Sequence, residues 1–228
     1  MKRAIFCVWF LFMPGLVQAA RPLIPDERDQ TLDFSLYFTS SKAPFDYSDG
    51  NTYDTTTRMI GAEFREKLLA RLMLGMHGGY TYVTQNDNPL TSGIELDGYH
   101  AGLSLYGAIF ESQRASLYYV FDYTYQQADN NDNNQSVTLE WSEPLALLGA
   151  SIMVGNRLRL YGGGGSGRIN GEERANGDVN HTTDFSRSTR GLGFIGLDLN
   201  LGPSNGYIGV EAGAGLDRSA QIYFKQNY

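Results

Sequence analysis

Two histidines, His77 and His100, are the residues whose side chains and positions in the sequence best suit metal binding or catalysis. They lie in consecutive segments of alternating residues, at similar distances from a polar stretch centred near Asn88, and both fall on the same face. Facing imidazoles can hold a metal ion or act as general acid and base. Two ligands do not make a metal site, so the preferred interpretation is a hydrogen-bonding role in the interior. The sequence predicts no cofactor, no metal and no enzyme, with a hydrolase using this pair as an alternative hypothesis.

A set of charged residues falls on the same side of the alternating segments. Both signs are present in similar number, so these residues can pair with one another. The preferred interpretation is a polar interior plugged by ion pairs, because a small β-barrel is only wide enough for side chains to fill. The alternative is a narrow channel whose selectivity these charges set. The predicted network consists of Asp33, Glu63, Arg65, Arg71, Asp122, Glu140, Arg159, Asp198, Glu211 and Lys225.

The elements that must position these residues are strands, because the hydrophobic pattern has a period of two. The pattern predicts about ten strands, with eight or twelve as alternatives. The uncertain point is Pro144, which interrupts the sixth segment and is interpreted as a bulge. Beyond the N-terminal segment no apolar run is long enough for a transmembrane helix. The remaining way to cross a bilayer is a closed antiparallel β-barrel, in which every backbone group is paired. The predicted fold class is therefore all-β.

The connections between the predicted strands alternate in length. Long polar loops are predicted at 40–56, 84–94, 128–135 and 168–187, with short joints between them. Bacterial membrane barrels have long loops outside the cell and short periplasmic turns. The long loops are therefore predicted to be extracellular. Aromatic residues are expected at both membrane surfaces, with Tyr207 and Tyr228 at the inner one and Tyr80, Tyr82, Tyr123, Tyr125 and Trp141 at the outer one.

The N-terminal residues have the pattern of a secretory signal peptide. Lys2 and Arg3 precede an apolar stretch that ends in small residues, which predicts a signal peptide over 1–19. A short periplasmic segment over 20–30 and a barrel over 31–228 would follow. The only cysteine, Cys7, lies in the removed segment, so no disulfide is expected. The net charge of −7 argues against nucleic acid as a partner.

The C-terminal segment places Ile222, Phe224 and Tyr228 on one face of a strand and ends on an aromatic residue. In this it resembles the closing strand of small bacterial outer-membrane β-barrel proteins, in which such an end is a membrane-insertion signal. The resemblance implies an integral, monomeric outer-membrane protein. Its partners would be the insertion machinery, periplasmic chaperones, outer-membrane lipid and lipopolysaccharide.

Three functions are compatible with this class of protein. The preferred one is a barrel with a largely plugged lumen whose loops serve envelope integrity, adhesion or surface recognition. The second is a small porin-like diffusion channel for polar solutes, and the third is a lumenal or rim hydrolase. The chain lacks the His-x-Ser pair of the lipid A deacylases, because His77 and His100 are followed by Gly78-Gly79 and Ala101-Gly102. It also lacks an evident counterpart of the paired aspartates of the omptin proteases.

Overall fold

The computed structural model describes residues 31–228, apart from 90, 92–93, 133–134, 178, 203–205 and 215–217. The predicted signal peptide and periplasmic segment lie outside the described residues. Among the described residues there is no helix of the length and apolarity needed to cross a membrane. They form ten β-strands: β1 (Leu32–Tyr47), β2 (Thr52–Leu69), β3 (Leu72–Gln85), β4 (Glu95–Glu111), β5 (Ala115–Asp132), β6 (Gln135–Val154), β7 (Leu158–Gly177), β8 (His181–Asn200), β9 (Gly206–Ala214) and β10 (Arg218–Asn227).

The ten strands close into a single antiparallel barrel. Each strand pairs with the next, and β1 pairs with β10 in a register that runs from Asp33↔Asn227 to Lys42↔Arg218. A closed sheet has no unpaired edge, as a membrane-spanning sheet requires. The predicted closed barrel of about ten strands is confirmed. The start of β1 and the end of β10 lie at the same end, here called the inner end, together with the turns at 70–71, 112–114 and 155–157. The opposite end is called the outer end.

Large apolar side chains cover the outside of the inner part of the barrel. Leu36, Ile60 and Phe121 are between 50% and 60% exposed, although their neighbours along each strand are buried or half-buried. Such a surface is unfavourable in water but favourable against lipid. We call this outward surface the apolar belt; its members include Leu36, Phe38, Ile60, Phe64, Met76, Leu103, Phe121, Leu148, Leu160, Ile195, Val210 and Ile222.

Toward the outer end the strands continue beyond the belt, and the polarity of the two faces is exchanged. On β1, Lys42 is exposed while Ala43 and Phe45 are buried inside the barrel. The segments predicted to be long loops are therefore mostly strand, and that prediction is wrong. The widest outer gap between strands is 86–94, and the first outer gap is only 48–51. The polar residues of these segments favoured loops in the sequence analysis. In the structure they lie on the outside of strands that extend beyond the belt, where the barrel wall is surrounded by water and not by lipid.

Pro144 does not interrupt β6. Its neighbours pair with β7 as Ser142↔Asn170 and Leu145↔Gly167, so the register is the same on both sides of the proline. Pro144 is exposed on the outside of the barrel. Because proline has no N–H, the ladder to β7 is interrupted at this residue, but the strand continues. The predicted bulge is absent from this described strand, and Trp141 is placed on the inward face.

The barrel has fewer strands at its outer end than in the belt. β9 and β10 span nine and ten residues, whereas β6, β7 and β8 span twenty each. Above this short hairpin β1 pairs directly with β8, as Asp46↔Ser186 and Tyr47↔Phe185. The Ser48 N–H donates to the Asp184 carbonyl at 2.8 Å. Ten strands thus narrow to eight, and a narrower barrel can be filled by its own side chains.

Candidate functional site

The lumen is the candidate functional site, and its innermost layer consists of ion pairs. One pair lies within β2, with Arg65 Nη2 3.3 Å from Glu63 Oε2. Two pairs join neighbouring strands, Lys225 Nζ to Asp33 Oδ2 at 3.2 Å and Arg159 Nε to Asp198 Oδ2 at 3.5 Å. All six side chains are at least 95% buried. The structure thus brings together most of the charged residues that the sequence analysis grouped. Buried charges of this kind are tolerated only when paired.

Glu211 and Asp122 also lie on the inward face. Glu211 is buried on β9, next to the Asp198 strand, because Gly196 pairs with Glu211 and Asp198 with Gly209. Asp122 approaches a histidine, as described below. The remaining two predicted members lie elsewhere. Arg71 is exposed in the 70–71 turn at the inner end. Glu140 faces outward on β6, 3.7 Å from Arg174.

The placement of Glu140 and Arg71 in the lumen was therefore wrong, for two different reasons. The prediction of an inward Glu140 follows from the prediction that the adjacent Trp141 is an outward aromatic residue at the membrane surface. Trp141 is only 2% exposed and faces the lumen, which turns its neighbour outward. Arg71 was counted as part of a strand, whereas the chain reverses direction there.

The middle layer of the lumen contains the two histidines. His77 pairs with Gly102 and His100 with Gly79, so the two rings are diagonal neighbours with centroids 6.4 Å apart. His77 Nε2 lies 3.2 Å from Asp122 Oδ2. His100 Nε2 lies 2.6 Å from the Tyr37 hydroxyl. On the other side of its ring, His100 Nδ1 lies 3.0 Å from Thr81 Oγ1.

A glycine makes room for the first histidine. A Cβ at Gly102 would lie 2.2 Å from His77 Cε1, so a larger residue would displace the ring. The contacts give each imidazole a defined orientation, as a carboxylate or hydroxyl partner does in many proteins. Sequence reasoning missed Tyr37 and Thr81, because Tyr37 is 63 residues from His100 along the chain. Among the described residues no group of three or more His, Cys, Asp or Glu side chains is arranged to hold a metal ion.

Tyrosines fill the space between the charged layer and the wall. The Tyr118 ring lies against Gly149 and the Tyr161 ring against Gly196, where added Cβ atoms would approach to 2.4 and 2.3 Å. Both rings are buried, and the Tyr161 hydroxyl lies 3.2 Å from that of Tyr223. Aromatic rings that cover glycines on neighbouring strands are a known device for packing curved sheets. The signal in the sequence was the large number of both residue types, 27 glycines and 15 tyrosines.

The outer layer of the lumen is apolar. Phe45 stacks on Phe185 with ring centroids 4.6 Å apart, and Trp141 meets Phe45 edge-on at 5.9 Å. The predicted positions of Trp141 and Tyr207 in the membrane-surface girdles are wrong, because both rings are buried inside. The cluster comprises Ala43, Phe45, Tyr47, Val83, Leu96, Ala128, Val137, Leu139, Trp141, Ile169, Ala175 and Phe185.

A polar cap covers the apolar layer at the outer end. Glu173 Oε2 accepts a hydrogen bond from the Tyr47 hydroxyl at 2.6 Å and another from Asn88 Nδ2 at 2.9 Å. Thr91 and Asn88 both donate to Gln85 Oε1. Burial raises the pKa of Glu173, although the two donors oppose this effect. Burial and the neighbouring Glu173 carboxyl raise the pKa of Tyr47 well above its usual range.

One small cavity lies within this packing. A cavity of about 10 Å³ in the outer half of the lumen is lined by Ser41, Ala43, Phe45, Thr57, Gln126, Trp141, Glu143 and Ile169. That volume is about the size of one water molecule. A larger space of about 250 Å³ lies at the inner end, against Lys67, Ala70, Arg71 and Glu111.

Comparison with known proteins identifies the class of the fold. No protein-family model and no curated protein sequence matches the chain. The translocator domain of the autotransporter NalP from Neisseria meningitidis superimposes with a TM-score of 0.56 at 9% identity, over 89% of this chain and 90% of that one. The outer membrane protease OmpT from Escherichia coli gives a TM-score of 0.53 at 8% identity, over 91% and 99%. The chain therefore has the fold of integral bacterial outer-membrane β-barrels, and its apolar belt is the surface that such a location requires.

Proposed function

We propose that the protein is a closed outer-membrane barrel that acts through its outer surface, in envelope integrity, adhesion or surface recognition. The observation that carries this proposal is the sequence of layers that fills the lumen. Ion pairs occupy the inner part, the histidine layer the middle, the aromatic cluster the outer part, and the cap formed by Glu173, Tyr47 and Asn88 covers the end.

Opening this lumen would be costly at every layer. Separating one buried ion pair leaves a charge without its partner, at a cost of about 3–5 kcal/mol. Exposing the aromatic cluster to water costs roughly 25 cal/mol for each Å² of apolar surface. A solute would have to overcome both costs, because the layers lie one above another. The porin-like alternative would need a continuous water-filled path instead.

The contacts of the histidines favour an interior role over the hydrolase alternative. His77 and His100 are buried between the ion pairs and the aromatic cluster, so a substrate entering from either end would meet a packed layer first. Their partners, Asp122 and Tyr37, orient the rings. OmpT is a protease, but at 8% identity the similarity concerns the fold alone.

The part of the barrel beyond the apolar belt is the surface available for recognition. Its outward face is polar and carries exposed ion pairs, among them Lys42 with Asp54 at 2.8 Å. A rigid strand wall presents such groups at fixed positions, at a lower entropic cost than flexible loops. The exposed Ile222, Phe224 and Tyr228 at the other end remain available as the proposed insertion signal.

The test is conductance of the refolded protein in a planar bilayer. Insertion is verified beforehand by the change in electrophoretic mobility on boiling, and an unrelated porin incorporated by the same procedure serves as the positive control. We expect no discrete current steps from the protein. Reproducible steps of uniform size would overturn the closed-barrel proposal in favour of the channel. Attachment and detergent sensitivity of bacterial cells with and without the protein would then separate adhesion from envelope integrity.

A further inference from the structure

The sign of the first charged residue beyond the apolar belt differs around the barrel. On the outward faces of β1, β2 and β7 this residue is Lys42, Arg58 and Arg168, and all three are exposed. On β4, β5 and β6 the first charged residue is acidic, namely Asp97, Asp129 and Glu140. We call Lys42, Arg58 and Arg168 the basic arc.

The strands of the basic arc lie on one side of the barrel. β1 and β2 are neighbours, and β1 meets β8, the neighbour of β7, above the short β9–β10 hairpin. Three strands on one side thus carry an exposed lysine or arginine near the outer edge of the belt.

The other side of the barrel has tyrosines at the same level. Tyr80 donates to Asp97, and the Tyr99 hydroxyl donates to Gln127 Oε1 at 2.9 Å. These hydroxyls are thus engaged with the polar residues just beyond the belt, as expected of rings at a membrane surface. The outward-facing tyrosines at this level of β3, β4 and β5 are Tyr80, Tyr82, Tyr99, Tyr123 and Tyr125. The two sides of the barrel therefore present different chemistry to the lipid headgroups.

We propose that the basic arc binds the phosphate groups of an anionic glycolipid of the outer leaflet. The outer edge of the belt is where lipid headgroups lie, and arginine and lysine are the side chains that hold phosphate. Arg58 is positioned over the Tyr82 ring at 5.7 Å from its centroid. Lys42 pairs with Asp54, yet its side chain is 51% exposed, and an ammonium group has three donors.

The surface below Arg168 suits the acyl chains of such a lipid. The outward positions of β7 in the belt include Gly162 and Gly164, so a chain can lie directly against the backbone there. The phosphate and the acyl chains would then meet the same side of the barrel. This inference does not depend on whether the lumen conducts.

The experiment is native mass spectrometry of the refolded protein titrated with lipid A. The test variant is Lys42→Gln/Arg58→Gln/Arg168→Gln. The matched control is Arg71→Gln/Arg114→Gln/Arg157→Gln, which makes the same charge change in exposed turns at the inner end. Each protein is titrated with lipid A carrying both phosphates, with the same lipid A lacking phosphates, and with inorganic phosphate. Folding of every variant is checked by its mobility before and after boiling.

We expect the protein to prefer the phosphorylated lipid A. Since one basic side chain near a membrane surface contributes about 1 kcal/mol, each substitution should weaken binding about fivefold and the triple variant on the order of a hundredfold. The control should bind as the unaltered protein does. Equal binding by the test variant, an equal loss in the control, or equal binding of the lipid without phosphates would overturn the proposal. Displacement of the lipid by inorganic phosphate would show a free-anion site instead. If the triple variant fails to fold, Arg168→Gln alone must show the fivefold loss.

Discussion

The ion pair between Arg65 and Glu63 allows the proposal of a plugged lumen to be tested by a single substitution. The two side chains are 1% and 0% exposed, and their charged atoms lie 3.3 Å apart. Arg65 also lies over the Tyr106 ring at 5.9 Å, and Glu63 accepts a hydrogen bond from Ser104 at 3.0 Å. Replacement of Arg65 by Met keeps much of the volume and removes the charge. Glu63 is then left as a buried carboxylate without its cation.

The expected cost of Arg65→Met is about 3–5 kcal/mol, because an uncompensated charge remains in the interior. Glu63→Gln alone should also destabilise, since it leaves the guanidinium without its nearest carboxylate. The double variant Glu63→Gln/Arg65→Met removes both charges, and replacing a whole buried pair is often close to neutral. The double variant should therefore be more stable than the sum of the single effects predicts, by roughly 2–3 kcal/mol.

The assay is equilibrium unfolding in urea, in lipid vesicles, with the folded fraction read from electrophoretic mobility without boiling. Arg71→Met is the control, because Arg71 is exposed in a turn and its replacement should change the free energy of unfolding by less than about 0.5 kcal/mol. A loss of less than about 1 kcal/mol for Arg65→Met would refute the reasoning. So would single effects that add to within about 0.5 kcal/mol, because independent sites behave in that way.

Three further predictions follow from the outer half of the barrel. Trp141 faces the lumen, so brominated phospholipids should quench its fluorescence weakly; strong quenching would place the ring against lipid. Burial raises the pKa of Glu173, so the folded state binds its proton more tightly than the unfolded chain does and stability should fall as pH rises above about 4.5. Melting curves of Glu173→Gln should lack that part of the decline, and an unchanged decline would assign it to other groups. Because Asp46 pairs with Ser186, cysteines at both positions should form a disulfide under oxidising conditions, whereas no crosslink would contradict the β1–β8 junction.

The exchange of polarity along each strand explains how one barrel wall serves two environments. Within the belt, Leu36 and Phe38 face lipid while Ser35 and Tyr37 face the lumen. Beyond it, on the same strand, Lys42 faces water and Phe45 faces inward. The outer part is therefore built like a small soluble barrel with an apolar core. This arrangement gives the outer end its own packing energy, independent of the membrane.

The sequence by itself determined the class of the fold and which residues lie on the same face of each strand. A period of two places Glu63, Arg65, His77 and His100 on one face of their strands, whatever the rest of the chain does. The need to pair every backbone group in a bilayer then leaves a closed barrel as the only arrangement for strands that lack a spanning helix. The antiparallel closure followed from these two constraints, whereas the strand number was predicted only as about ten, with eight or twelve as alternatives.

Only the tertiary structure showed which face of each strand points into the lumen in the part of the barrel that extends beyond the membrane. Alternation shows that Glu140 and Trp141 face opposite ways, but not which of them faces the lumen, because an apolar residue points outward in lipid and inward in water. The contact of Tyr37 with His100 joins strands that are not sequence neighbours, and it depends on the closure of the whole sheet. The β1–β8 junction likewise depends on the difference in length between β8 and the β9–β10 hairpin. Such contacts depend on how far each strand extends and where the lipid ends, which a local pattern of residue types does not encode.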